Sequence, residues 1–209
     1  MPPVTQALLI ANVAVFLLES MLGIPLFEWF ALWPPHSSLS QAPDFQLWQL
    51  VTYSFLHANL AHIFFNMFAL YMFGSDVERL FGSRFFAAYY FVAVLTAAIS
   101  HLVIITWMGA DPAPTVGASG GIYGLLLAYG LYFPNRQLML LIPPIPMRAR
   151  TFVIVFALLE LVLGVTGTAA GVAHFAHLGG MLGGYLVILY WRGRPPFGGR
   201  GRGGPRRLH

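Results

Sequence analysis

The chain has 209 residues, 58% of them apolar and only 9% charged, with a mean hydropathy of +0.72. That excludes an ordinary soluble domain, in which about 25% of residues are charged, and describes an all-α polytopic membrane protein with room for about six spans of roughly 20 residues in one domain, 1–192. The absence of cysteine rules out disulfides, thiolate nucleophiles and Cys-based metal sites.

Hydropathy predicts spans at 6–23, 58–76, 85–108, 119–134, 150–168 and 172–191. The first has no basic residue ahead of it and no small-residue cleavage site behind it, so it reads as a retained span rather than a signal peptide. The loop that follows is long and rich in aromatics and proline (Phe27-Glu28-Trp29-Phe30, Leu32-Trp33-Pro34-Pro35). Tryptophan favours the membrane interface, so this loop is expected to lie partly embedded. Six spans put both termini on one side. All 11 basic residues are arginines and fall on that side: Arg79 and Arg84, then Arg136, Arg148 and Arg150, and six from Arg192 onward. The positive-inside rule makes it cytoplasmic and turns the other connections outward. The tail, 193–209, is low-complexity Arg/Gly sequence expected to be disordered. It suits a topology signal and contact with anionic lipid; RNA binding is the weaker alternative, and no nucleic-acid partner is expected.

The outward ends of the spans carry the polar residues. In His57-Ala-Asn-Leu-Ala-His62-Ile-Phe-Phe-Asn66 the two histidines lie roughly 140° apart on a helix, the wrong spacing for an i,i+4 zinc pair. His62 and Asn66 are i,i+4 neighbours on one face. They either donate to a developing oxyanion or bond loop backbone, while His57 suits bracing the loop. In Gly117-Ala118-Ser119-Gly120 a serine opens an apolar helix of only about 16 residues, roughly 24 Å against a core of about 30 Å, so Ser119 lies below the outer surface. The stretch before it (Asp111-Pro-Ala-Pro-Thr-Val-Gly) is not helical, and irregular backbone at that depth must be buried in protein or line a water-filled cavity. His177, Gly180 and Gly184 share a face of the last span, and Gly120 with Gly124 offers a matching face on the fourth. Close glycine packing there brings Ser119 and His177 together, with Tyr123 one turn below to stack on the imidazole. No acidic third member is apparent. Asp111 suits a solvated loop position, His174 the cavity rim, and Glu160 a protonated, hydrogen-bonded place within the bundle or a role at a substrate entry gate.

Taken in order, Trp48, His57-x4-His62-x3-Asn66, Gly74-x3-Glu78-x3-Gly82, Gly117-Ala-Ser119-Gly120-x2-Tyr123 and His177-x2-Gly180-x3-Gly184 resemble the rhomboid intramembrane serine proteases of the minimal six-helix bacterial type. The resemblance implies that Ser119 is the nucleophile and His177 the general base. His62, Asn66 and the Ser119 backbone N–H would form the oxyanion hole, Gly117 would lie beside it, and Tyr123 would hold the His177 ring. His57, Gly120, Gly124, Gly180, Gly184 and Glu78 would be structural near the site. It implies transmembrane protein substrates within the lipid bilayer and no metal or other cofactor. One departure is Gln49, where many rhomboids have arginine, which puts the usual salt bridge of that loop in question. Two other functions fit the composition: a rhomboid-like pseudoprotease, which usually lacks the serine or histidine, and a small transporter, which predicts internal repeats that this sequence lacks.

Overall fold

The computed structural model describes residues 1–22, 25–35, 43–108, 113–140, 144–167 and 173–192. Within them run α1 (Pro3–Leu22), α2 (Leu26–Phe30), α3 (Gln49–Thr52), α4 (Leu60–Ala69), α5 (Ser75–Phe81), α6 (Ser83–Met108), α7 (Ser119–Tyr132), α8 (Ala149–Thr166) and α9 (His174–Trp191). A π-helical stretch, Leu70–Gly74, joins α4 to α5 in one rod. The low-complexity tail, 193–209, and Asp111 lie outside the described residues.

Among the described residues, four helical stretches are long and apolar enough to cross a membrane: Pro3–Met21, Leu60–Phe81, Ser83–Trp107 and Ala149–Thr166. The other two expected spans, α7 and α9, have a different constraint. α7 has 14 residues, about 21 Å at 1.5 Å each, and nine of its side chains or glycine positions are buried. α9 carries two histidines and four glycines in its first 11 residues, which dilute its apolarity. Both pack against α6 and against each other, so protein rather than lipid surrounds much of their surface. A helix solvated by protein need be neither long nor uniformly apolar.

The α7–α9 seam is built on glycine. A Cβ on Gly180 would run into the Gly120 carbonyl oxygen, and one on Gly124 would come 2.5 Å from Ala93 Cβ and 3.2 Å from the Gly180 carbonyl. Small residues let backbones approach where lipid supplies no hydrophobic drive between helices, so van der Waals contact and hydrogen bonds hold the seam. On α6, Tyr89, Tyr90, Ala93, Val94 and Ala97 are fully buried against it, and Tyr89 donates to the Gly124 carbonyl at 2.6 Å. α8 is peripheral. Its buried positions, Ala149, Val153, Glu160 and Gly164, fall on one stripe at multiples of about one helical turn, while Leu158, Leu161, Val162 and Val165 are exposed.

The structure differs from the sequence reading at the arginine side. The second span runs on to Phe81 rather than ending at 76, because Glu78 is not solvated there. Its carboxylate accepts from the Val4 and Thr5 backbone N–H groups at 3.0 and 2.7 Å, from Thr5 Oγ1 at 2.7 Å and from Ser83 Oγ at 2.7 Å. It therefore satisfies the open N–H groups at the start of α1, where a negative charge is favoured. This also corrects the placement of Glu78 near the site. Ser83, its partner, is 14 residues along α6 from Ala97, which faces Gly120, a separation of about 21 Å. The connection after α7 holds a short antiparallel hairpin, Gln137–Met139 with Pro146–Arg148, where the sequence suggested only loop.

The aromatic loop is braced within itself by neutral hydrogen bonds. Gln49, 1% exposed, accepts from the Trp33 and Gln46 N–H groups at 3.2 and 3.3 Å and donates to the Trp29 carbonyl at 3.3 Å. Trp48 Nε1 donates to the same carbonyl at 3.1 Å. An amide both donates and accepts, so Gln49 joins three loop segments without a charge.

Candidate active site

Ser119 is the first residue of α7, and the strand-like segment before it is pinned on three sides. Leu32 and Thr115 exchange backbone hydrogen bonds at 3.0 Å, Gly117 N–H donates to the Tyr53 carbonyl at 2.9 Å, and Thr115 Oγ1 lies 2.7 Å from His101 Nε2 on α6. These contacts meet the requirement that irregular backbone at this depth be satisfied by protein. Gly117 has φ +121°, a conformation that L side chains rarely adopt. A Cβ there would also sit 2.7 Å from His62 Nε2 and 3.7 Å from Ser119 Oγ, so Gly117 keeps open the space between the histidine and the serine. The first N–H groups of α7 have no carbonyl within their own helix, which makes this helix start a source of donors.

His177 sits in the first turn of α9, its backbone N–H bonded to the Ala173 carbonyl at 3.2 Å. The glycine seam brings α9 to the depth of Ser119, and His177 Nε2 lies 2.8 Å from Ser119 Oγ. Tyr123, one turn along α7, stacks face to face on the imidazole with centroids 4.2 Å apart and planes 5° from parallel. The ring is therefore held on one face by an aromatic and at one nitrogen by the hydroxyl. His177 is 8% exposed, whereas Ser119 is half-buried, so the hydroxyl is the reachable member of the pair.

On the third side stands α4, capped by Asn59, whose side chain accepts from the His62 N–H at 2.9 Å. His62 Nδ1 faces the Ala58 N–H at 3.5 Å, a long contact in which Nδ1 accepts, and this leaves Nε2–H as the donor beside Gly117. Asn66 is buried one turn further along and donates one amide hydrogen to the His62 carbonyl at 3.0 Å, with a second hydrogen on the same nitrogen. His57, in the loop before α4, packs edge-on against the His62 ring at 5.0 Å. Burial first, and then the neighbouring His62, hold its pKa down at about 4, so it is neutral at pH 7. That fits a bracing residue.

Sequence reasoning missed the surroundings of Glu160. Its carboxylate accepts from Tyr123 Oη, meets His174 Nδ1 at 2.6 Å and lies 3.0 Å from His177 Nδ1, off the line of that N–H bond. His174 is thus buried on Glu160 rather than lining a rim. The available signal was the stripe of α8: Glu160 and Gly164 are i,i+4 on the face that Ala149 and Val153 begin. One ligand atom from each of Glu160, His174 and His177 falls within 4.8 Å of the others, compact enough for a cation. Tyr123 and His174 already hydrogen-bond both oxygens of this carboxylate.

Comparisons with known proteins identify the family. Residues 44–194 match the Rhomboid domain model. The chain is 34% identical over 142 residues to rhomboid protease GluP of Bacillus subtilis, covering 67% of this chain and 25% of that protein. It is 30% identical over 192 residues to rhomboid protease GlpG of Klebsiella pneumoniae, covering 90% of this chain and 62% of the relative. It is also similar to mitochondrial Rhomboid protein 1 of Saccharomyces cerevisiae, 29% identical over 150 residues. The chain therefore spans from a quarter to under two thirds of the length of the first two relatives. With the family model covering most of its length, this multi-pass membrane chain belongs to the rhomboid family.

Proposed function

We propose that this protein is an intramembrane serine endopeptidase that cuts transmembrane segments of other membrane proteins. The observation that carries the reading is Ser119 Oγ at 2.8 Å from His177 Nε2, within the range for a general base and its proton. His177 takes the Ser119 proton as Oγ attacks the scissile carbonyl. The oxyanion is held by the Ser119 N–H, His62 Nε2–H and the second amide hydrogen of Asn66. His177 then returns the proton to the leaving amine, and water entering from the outer side hydrolyses the acyl-enzyme. The arginine distribution supports cytoplasmic termini and a site opening to the extracytoplasmic side. Relatives that carry the name protease support the same activity.

A fluorophosphonate tests the nucleophile directly. Peptide mass spectrometry is expected to find the adduct on Ser119 in the wild type and none in Ser119→Ala. An adduct on another residue, with unchanged labelling of the variant, would overturn the assignment. Because the hydroxyl and imidazole need no metal, EDTA is expected to leave turnover unchanged; loss restored by added zinc would contradict the mechanism.

A further inference from the structure

We infer that Glu160 is a positioning residue for His177, completing a chain of Ser119, His177 and Glu160 across α7, α9 and α8. The inference rests on the Ser119–His177 reading and extends it to a carboxylate which the sequence did not connect with the site. Glu160 is 7% exposed and is the only charged side chain in α8 beyond its first turn. A buried carboxylate is costly unless donors surround it, and here Tyr123 Oη donates to one oxygen while His174 Nδ1 and His177 Nδ1 lie 2.6 and 3.0 Å from the other.

That arrangement decides a proton. An ionised carboxylate only accepts, so it favours Nδ1–H on both imidazoles. For His177 this leaves Nε2 as a bare acceptor at 2.8 Å from Ser119 Oγ, the tautomer that a general base needs. When the Ser119 O–H bond breaks and the Oγ–acyl bond forms, the proton moves to Nε2 while Nδ1 keeps its own. The imidazolium so formed faces the Glu160 charge. Its Nδ1–H is off line with the carboxylate in the resting site, as catalytic hydrogen bonds often are before substrate binds. Tyr123 acts twice, stacking on His177 and fixing Glu160 through its hydroxyl. Among the described residues, the other titratable neighbours of His177 are His174 on its own helix, His62 on α4 and His101 on α6.

The test is Glu160→Gln, near-isosteric and neutral, against wild type and Ser119→Ala, with a transmembrane substrate. Glu160 touches no substrate, so kcat is expected to fall about 10²-fold or more with KM unchanged. A merely structural role would lower Tm without a loss confined to kcat. Wild-type protein labelled with 15N-histidine, assigned against His177→Ala, supplies a measurement that needs no folded Glu160 variant: His177 is expected as the Nδ1–H tautomer. Wild-type kcat in Glu160→Gln, or an Nε2–H tautomer at His177, would overturn the inference while leaving the serine mechanism standing. Turnover retained by Ser119→Ala would overturn both.

Discussion

At the scale of single residues, the proposed mechanism separates groups that act on the substrate from groups that hold them. In it, Asn66 and His62 donate to the charge that develops on the carbonyl oxygen, so Asn66→Ala is expected to lower kcat by roughly 10²-fold while fluorophosphonate still labels Ser119 slowly. Normal kcat with reduced thermal stability would make Asn66 a packing residue. His57 belongs to the second group, and its titration has a definite sign. Its folded pKa of about 4 lies below the ordinary 6.5, so the native state takes up its proton later than the unfolded chain does. The stability that this contributes is complete above about pH 6.5 and is lost as pH falls toward 4. Wild type in detergent is therefore expected to lose more Tm between pH 7 and pH 5 than His57→Gln; equal losses would contradict the account of His57. Ser119, His177 and Tyr123 were legible because polar groups are rare in the spans and their spacing sets the helix face. Glu160 was not connected to them, because which face of α8 meets α9 depends on packing that local sequence does not encode.

At the scale of elements, the close approach of α7 and α9 is what converts two distant sequence positions into one site. Gly180→Ala places a methyl against the Gly120 carbonyl, and overpacking of this kind typically costs about 1–3 kcal/mol. The variant is expected to show a lowered Tm and a larger loss of turnover than of stability, since the seam sets the Ser119–His177 distance. Leu158→Ala, on the exposed face of α8, is expected to change Tm little. Equal Tm shifts for the two would show that the seam is not what aligns the pair. The glycine seam was readable from i,i+4 spacing, and the helices from hydropathy. The hairpin at Gln137–Met139 and Pro146–Arg148 was not, since three-residue strands beside prolines give no periodic signal. The continuation of the second span to Phe81 was hidden by its charges, which read as a helix end until Glu78 is seen capping α1.

At the scale of the whole molecule, the bundle sorts its helices by what solvates them. Long apolar stretches such as Pro3–Met21 and Ala149–Thr166 are left open to a lipid surround, with only 17% of the apolar 18-residue window in each buried within the protein. The short, glycine-rich and histidine-bearing α7 and α9 lie against α6 and one another, so polar chemistry is held where protein, not hydrocarbon, is the solvent. Buried carboxylates tie helices together at two places: Glu78 joins the start of α1 to α6, and Glu160 joins α8 to Tyr123 of α7 and His174 of α9. The central claim is that Ser119 performs the cleavage inside this bundle. Its most direct test is turnover of a transmembrane substrate by purified wild type and Ser119→Ala in proteoliposomes, with equal Tm confirmed for both. The account predicts cleavage by the wild type and none by Ser119→Ala; retained cleavage by the variant would contradict it.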